Sequence, residues 1–152
     1  MKKILYIDMD NVIVDFVSGI NRLSKETQRE YEGRLDDVPG IFALMDPMPG
    51  AVQSVTELHS KFDVYALSTA PWANPSAWSD KVAWIQKHFG SSPTAPLHKR
   101  LILTHHKHLN TGDYLIDDRT KNGADRFTGM HIHFGQPEWP DWQAVTKFLM
   151  TT

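Results

Sequence analysis

Lys2-Lys3-Ile4-Leu5-Tyr6-Ile7-Asp8-Met9-Asp10-Asn11-Val12 is the stretch on which the fold turns. Ile4 to Ile7 form an unbroken apolar run, the mark of a short strand buried on both faces of a parallel sheet. Two carboxylates, one residue apart, do not belong inside such a strand. Asp8 and Asp10 therefore stand where the strand ends and a loop begins, with Asn11 as a turn-tolerant residue. In open α/β sheets the crevice beyond the strands' carboxyl ends is where ligands bind. Carboxylates placed there repel unless a cation or a proton lies between them. Oxygen ligands of this kind suit Mg²⁺, which keeps waters and takes substrate phosphate oxygens. Taken alone, Asp-x-Asp leaves a solvated-loop reading equally open.

The rest of the chain repeats the strand-then-helix alternation. Phe62 to Leu67 reads as a second strand and enters Ser68-Thr69-Ala70-Pro71-Trp72. A helix from Pro75 carries Ala77, Trp78, Val82, Trp84, Ile85 and Phe89 and stops at Gly90. Arg100 to Leu103 is a third strand, followed by Thr104-His105-His106-Lys107-His108. Tyr114 to Ile116 is a fourth, ending in Asp117-Asp118-Arg119. Met130 to Phe134 is a fifth, and Asp141 caps a last helix through Trp142, Val145, Phe148 and Leu149. This order predicts an α/β fold: a Rossmann-like parallel five-stranded sheet with helices on both faces.

Residues between the first two strands exceed one crossover helix. A helical pattern runs through Phe16, Val17, Ile20 and Leu23, and Ser24 to Arg34 is a polar helix or helix–turn. Asp36 to Gly40 is a break, Ile41 to Met45 an apolar patch, and Asp46-Pro47-Met48-Pro49-Gly50 a second stop before a helix from Ala51. The surplus predicts a small helical cap over residues 15–50, inserted into a catalytic core of residues 1–14 and 51–152.

Right-handed crossovers place every strand's carboxyl end on one edge. Asp8 and Asp10, Ser68 and Thr69, Lys107, and Asp117 and Asp118 then converge from distant segments. An aspartate can attack phosphorus and split hydrolysis into two displacements. Asp8, at the rigid end of a buried strand, is the nucleophile by position. Asp10, on the loop, can protonate the leaving oxygen and later activate water. A phosphoryl group is dense in negative charge, so the site must supply cations and donors. Mg²⁺ on Asp8 and a strand-four acid, Lys107, and a Ser68 or Thr69 hydroxyl supply them.

These segments, in this order, resemble the four motifs of the haloacid dehalogenase-like (HAD) phosphatase superfamily. Lys107 followed by Gly112-Asp113-Tyr114-Leu115-Ile116-Asp117-Asp118-Arg119, and Asp46-Pro47-Met48-Pro49-Gly50-Ala51, are similar to the 5′(3′)-deoxyribonucleotidases. The resemblance implies a Mg²⁺-dependent phosphomonoesterase for nucleoside monophosphates, with Asp8 as nucleophile and Asp10 as acid and base. It implies Mg²⁺ on Asp8, the Asp10 carbonyl and Asp118, with Asp117 in support. It implies phosphate contacts from Lys107 and the strand-two hydroxyl. The family's hydroxyls precede a proline directly. Here Ala70 intervenes before Pro71, and Ser68, which ends the strand, is favoured over Thr69. Two other readings stay open: a phosphatase for another small metabolite, and a receiver-like phospho-acceptor domain. A receiver needs neither Asp10 nor a cap.

Phe16, Phe42 and Trp72, on the cap or just past a strand end, are candidates for stacking on a base. Trp78 and Trp84 read as packing residues. Asp36-Asp37 reads as a solvated turn, and Asp15 as a local cap. His131 and His133 alternate on one strand face, a spacing zinc can use, but no third ligand follows from the spacing.

A chain of 152 residues is long enough for one domain with a real core. Its net charge of −2 provides no basic field for a nucleic-acid backbone, so no polymer partner is expected. The absence of cysteine excludes disulfide and thiol chemistry. Met-Lys-Lys is followed by only four apolar residues, too few for a signal-peptide core, and no stretch approaches membrane-spanning length. A cytoplasmic protein without a membrane partner is the expectation, and a homodimer is left open.

Overall fold

The computed structural model describes residues 1–152. Strand β1 (Ile4–Ile7) lies at the centre of a five-stranded sheet and is hydrogen-bonded on both sides. Its central place accounts for the unbroken apolar run: Leu5 and Ile7 face one side, Tyr6 the other, and both sides are covered. After Asp8 the chain turns tightly. The Met9 carbonyl accepts N–H bonds from Val12, Ile13 and Val14 at 3.1, 3.0 and 2.9 Å. Asn11 sits in the left-handed region, φ 62°, which its short polar side chain tolerates.

The chain leaves the core through β2 (Val14–Asp15). Two short helices follow, α1 (Phe16–Ile20) and α2 (Lys25–Glu30). Single 3-10 turns at Leu35–Asp37 and Ile41–Leu44 lead to β3 (Asp46–Pro47), which pairs antiparallel with β2. The segment thus departs and returns on one two-stranded ribbon. The helix predicted through Leu23 ends at Ile20, because Ser24 takes an extended conformation to accept the Thr27 N–H and start α2. Asp15 caps α1 by accepting the Ser18 N–H at 3.3 Å. Gly19 has no room for a side chain: a Cβ there would lie 2.7 Å from Met45 Cγ and 3.3 Å from the Ile41 carbonyl. That contact packs α1 against the Ile41–Met45 stretch.

The core resumes with α3 (Ala51–Lys61), β4 (Asp63–Ser68), α4 (Pro75–Phe89) and β5 (Leu101–Leu103). It ends with β6 (Tyr114–Asp117), β7 (Met130–His133) and α5 (Trp142–Met150). The strand order is β5-β4-β1-β6-β7 and all pairings are parallel, as the alternation predicts. The chain moves from β1 to β4 and β5 on one side, then to β6 and β7 on the other. The order therefore reverses beside β1, where a crevice opens at the carboxyl edge.

Helical elements cover both faces, unequally. Leu5, Ile7, Val64, Ala66, Ile116 and Ile132 join residues of α3, α4 and α5 in a core of 29 buried residues. The opposite face holds a cluster of Tyr6, Leu67, Leu115, Ala124 and Phe127, closed by the 3-10 turn Ala124–Arg126. Right-handed crossovers in opposite directions put α3 and α4 on one face and the β6–β7 connection on the other. No helix is long and apolar enough to cross a membrane.

Candidate active site

β1 delivers Asp8 to the carboxyl edge, where its N–H bonds the Ile116 carbonyl of the neighbouring strand at 2.9 Å. Lys107, in a 3-10 turn after β5, reaches it from across the site. Its Nζ donates to Asp8 Oδ1 at 2.9 Å and to Asp117 Oδ2 at 2.6 Å. All three side chains are buried. The other Asp117 oxygen accepts the Arg119 N–H at 3.0 Å. A small cavity opens on this group, lined by Asp8, Asp10, Thr69, Lys107, Asp117, Arg119, Lys121 and Asn122, with no apolar side chain.

Its electrostatics are those of an anion-and-cation site. Burial and the neighbouring Asp8 charge push Asp117 up to about 6, outweighing the adjacent Lys107 ammonium. Burial, then Asp8 and Asp117, push Asp118 up to about 7. Burial works against the Lys107 charge, but Asp8 and Asp117 prevail and hold its pKa above the ordinary lysine value. Burial raises the Asp10 carboxyl, partly opposed by Lys81.

The donor set fits a hard divalent cation. Carboxylate oxygens of Asp8, Asp117 and Asp118 lie within 4.8 Å of one another. Asp118 Oδ1 is buried without a hydrogen-bond partner. Unpaired buried carboxylate oxygen is costly, and an oxygen-seeking cation relieves that cost.

Asp8, Asp10, Thr69, Lys107 and Asp117, named from sequence, line one cavity, and Asp118 adjoins it. Ser68, the favoured hydroxyl, does not line it. It is fully buried on the α4 face of the sheet, where its Oγ accepts from Lys81 Nζ at 2.9 Å. One step along the chain, Thr69 is on the cavity wall, and its Oγ1 donates to the Thr104 carbonyl at 2.7 Å. Period-two alternation separates the two hydroxyls.

The three aromatic candidates part company. Phe16 lines a cavity of about 260 Å³ together with Asp10, Asn11, Leu35, Asp36 and Arg119. Phe42 is 2 % exposed and packs edge-on against Phe16, ring centroids 5.8 Å apart, so it backs this wall without forming it. Trp72 is 82 % exposed and meets only the His105 ring among its aromatic neighbours, at 6.2 Å. The histidine pair has a different use from zinc binding. His131 and His133 donate from Nε2 to the Asp117 and Asp118 carbonyls at 3.1 and 2.9 Å, which fixes the backbone of the acid pair.

Lys81, Arg119, Lys121 and Asn122 escaped the sequence reading. Lys81, on α4, is 0 % exposed and donates to Asp10 Oδ2 at 3.0 Å. Its signal was present: Ala77, Lys81 and Ile85 recur every four residues, so a lysine interrupts an apolar stripe. Arg119 lines both the polar cavity and the one beside Phe16. Only its place after Asp118 could have flagged it.

Comparison with known proteins shows the family. The family described as 5′ nucleotidase, deoxy (pyrimidine), cytosolic type C matches residues 34–145. A protein of Vibrio phage KVP40 assigned as a 5′(3′)-deoxyribonucleotidase is 57% identical over 148 residues, 97% of this chain and 85% of that protein. The chain belongs to the 5′(3′)-deoxyribonucleotidase family. A 5′(3′)-deoxyribonucleotidase of Bacillus subtilis is 27% identical over 90% of this chain and 87% of its own. A solved Bacillus subtilis protein assigned as a HAD-hydrolase, YfnB bound to magnesium, shares the fold. Its TM-score is 0.63 at 10% identity, over 97% of this chain and 98% of that one. As a member of the deoxyribonucleotidase family the protein is a phosphatase.

Proposed function

We propose that the protein hydrolyses deoxyribonucleoside monophosphates in two displacements, with Asp8 as nucleophile and Asp10 as acid and base. The observation that carries this reading is the meeting of Asp8, Asp10, Thr69 and Lys107 on one wholly polar cavity at the carboxyl edge. In the first displacement an Asp8 oxygen bonds to phosphorus and the ester P–O bond breaks. A proton from Asp10 goes to the leaving oxygen, and the raised Asp10 pKa favours the protonated form this needs. In the second, Asp10 takes a proton from water, the water oxygen bonds to phosphorus, and the Asp8–phosphate bond breaks to give inorganic phosphate.

Lys107 holds the Asp8 carboxylate in place and sets a positive charge beside the phosphoryl oxygens. The Thr69 side, rather than Ser68, supplies the hydroxyl wall. Asp8, Asp118 and the Asp10 carbonyl, with Asp117 in support, would hold Mg²⁺, which when bound supplies the positive charge that lets phosphate approach these acids.

Residues 15–50 act as a small cap on a core of 1–14 and 51–152, with the β2–β3 ribbon as its stem. Phe16 then offers a ring to the base, and Arg119 stands between base and phosphate. The substrate class is supported by the names of the relatives and by the juxtaposition of these two cavities. Phosphate release across a panel of 5′ and 3′ nucleotides, deoxy and ribo, and sugar phosphates tests it. Deoxyribonucleoside monophosphates should lead sugar phosphates by at least about tenfold in kcat/KM. A sugar phosphate turned over best would overturn the substrate assignment.

A further inference from the structure

We propose that Lys81 is a positioning residue for Asp10, clamping one carboxylate oxygen so that the other is the one that exchanges protons with the reacting group. The inference rests on the acid–base reading of Asp10 given above. Lysine is almost never fully buried without partners, and Lys81 is 0 % exposed in the middle of α4. Its ammonium has three donor directions, and each meets something. One goes to Asp10 Oδ2 at 3.0 Å and one to Ser68 Oγ at 2.9 Å. The third side faces the Phe42 ring, with Nζ 4.5 Å from the ring centroid. A group held on three sides cannot swing, so the Asp10 carboxylate it grips cannot rotate freely.

The two Asp10 oxygens are thereby made unequal. Oδ2 is occupied by Lys81, whereas Oδ1 is buried and has no partner. Asp10 lies on a loop, yet proton transfer needs its oxygen within hydrogen-bond reach of the leaving group. Displacement of about 1 Å at such a centre costs on the order of 100-fold in rate. The clamp also ties the cap to the acid. Phe42 belongs to the Ile41–Leu44 turn, Ser68 to β4 and Lys81 to α4, so three separate elements fix one loop side chain.

The test compares first-step rates for phenyl phosphate and 2,4-dinitrophenyl phosphate by rapid-quench measurement of phenol release with Mg²⁺ present. The two esters differ in whether the leaving oxygen needs a proton, and neither carries a base, so nucleotide preference does not enter. Lys81→Met keeps the stem and removes the clamp. It should lose about 100-fold on phenyl phosphate and less than about tenfold on the dinitrophenyl ester, with Asp10→Asn showing the same split. Ser68→Ala, which removes one anchor of Lys81, should show a weaker split in the same direction, and it decides the matter if Lys81→Met does not fold. Equal losses on both esters, or none, in the Lys81 and Ser68 variants while Asp10→Asn splits them would overturn the positioning role. No split in Asp10→Asn would instead overturn the acid–base reading itself.

Discussion

Lys107 meets Asp8 across 99 residues of chain, with Nζ 2.9 Å from Oδ1 in a buried setting. The same ammonium binds Asp117 at 2.6 Å, so one cation restrains two acids. Lys107→Ala is expected to lower kcat by about 2–4 kcal/mol of barrier, the usual effect of removing a charged donor aimed at developing charge. Steady-state kinetics on a nucleotide checks this, with circular dichroism to verify the fold. Near-normal turnover would remove Lys107 from the reaction.

The acid cluster predicts a link between pH, cation and stability. Burial and the Asp8 charge push Asp117 up to about 6 and Asp118 up to about 7, above the ordinary carboxylate value of about 3.9. The folded chain therefore holds these protons more tightly than the unfolded chain. Stability from this source is fully present below about pH 4 and is lost as pH rises through 6 to 7. In EDTA, Asp118→Asn should gain in Tm relative to the parent at pH 8 and gain less at pH 5. Mg²⁺ should raise the parent's Tm more at pH 8 than at pH 5. Identical pH trends for parent and variant would contradict the assignment.

The aromatic residues divide by what they line. Phe16→Ala should raise KM for nucleotides more than for phenyl phosphate, since the phosphate grip is untouched. Trp72→Ala, at an exposed ring that does not line that cavity, should leave both KM values within about twofold. A larger effect at Trp72 than at Phe16 would move the base to the other side of the site.

Much of this was legible in the sequence because the fold makes it so. Ile4–Ile7, Asp63–Ser68 and Tyr114–Asp117 announce themselves as buried strands, and parallel topology brings their ends together. Asp8, Asp10 and Asp117 could be named on that ground, and Lys107 from its place after Leu101–Leu103. What stayed hidden was orientation. Ser68 and Thr69 are adjacent, and a one-residue difference flips a side chain to the opposite face. Lys81 was hidden because its partners, Asp10 and Ser68, lie 71 and 13 residues away. A polar residue in an apolar stripe marks a buried contact but not its identity. Phe42 and Trp72 were chosen by place in the chain; Phe42 is buried behind Phe16, and Trp72 stands exposed beside His105.

On the proposed mechanism Asp8 carries phosphate during the reaction and Asp10 serves both steps. Asp10→Asn keeps the nucleophile but cannot accept the proton from water. Given an activated aryl phosphate and Mg²⁺, it should release phenol early and stall with phosphate on the protein. Rapid quench, intact-chain mass measurement and peptide mapping of the Asp10→Asn protein are the most direct test. One phosphate per chain, on Asp8, is expected, with no such adduct in Asp8→Asn. Label on any other residue, or Asp8→Asn turning over as well as the parent, would contradict it.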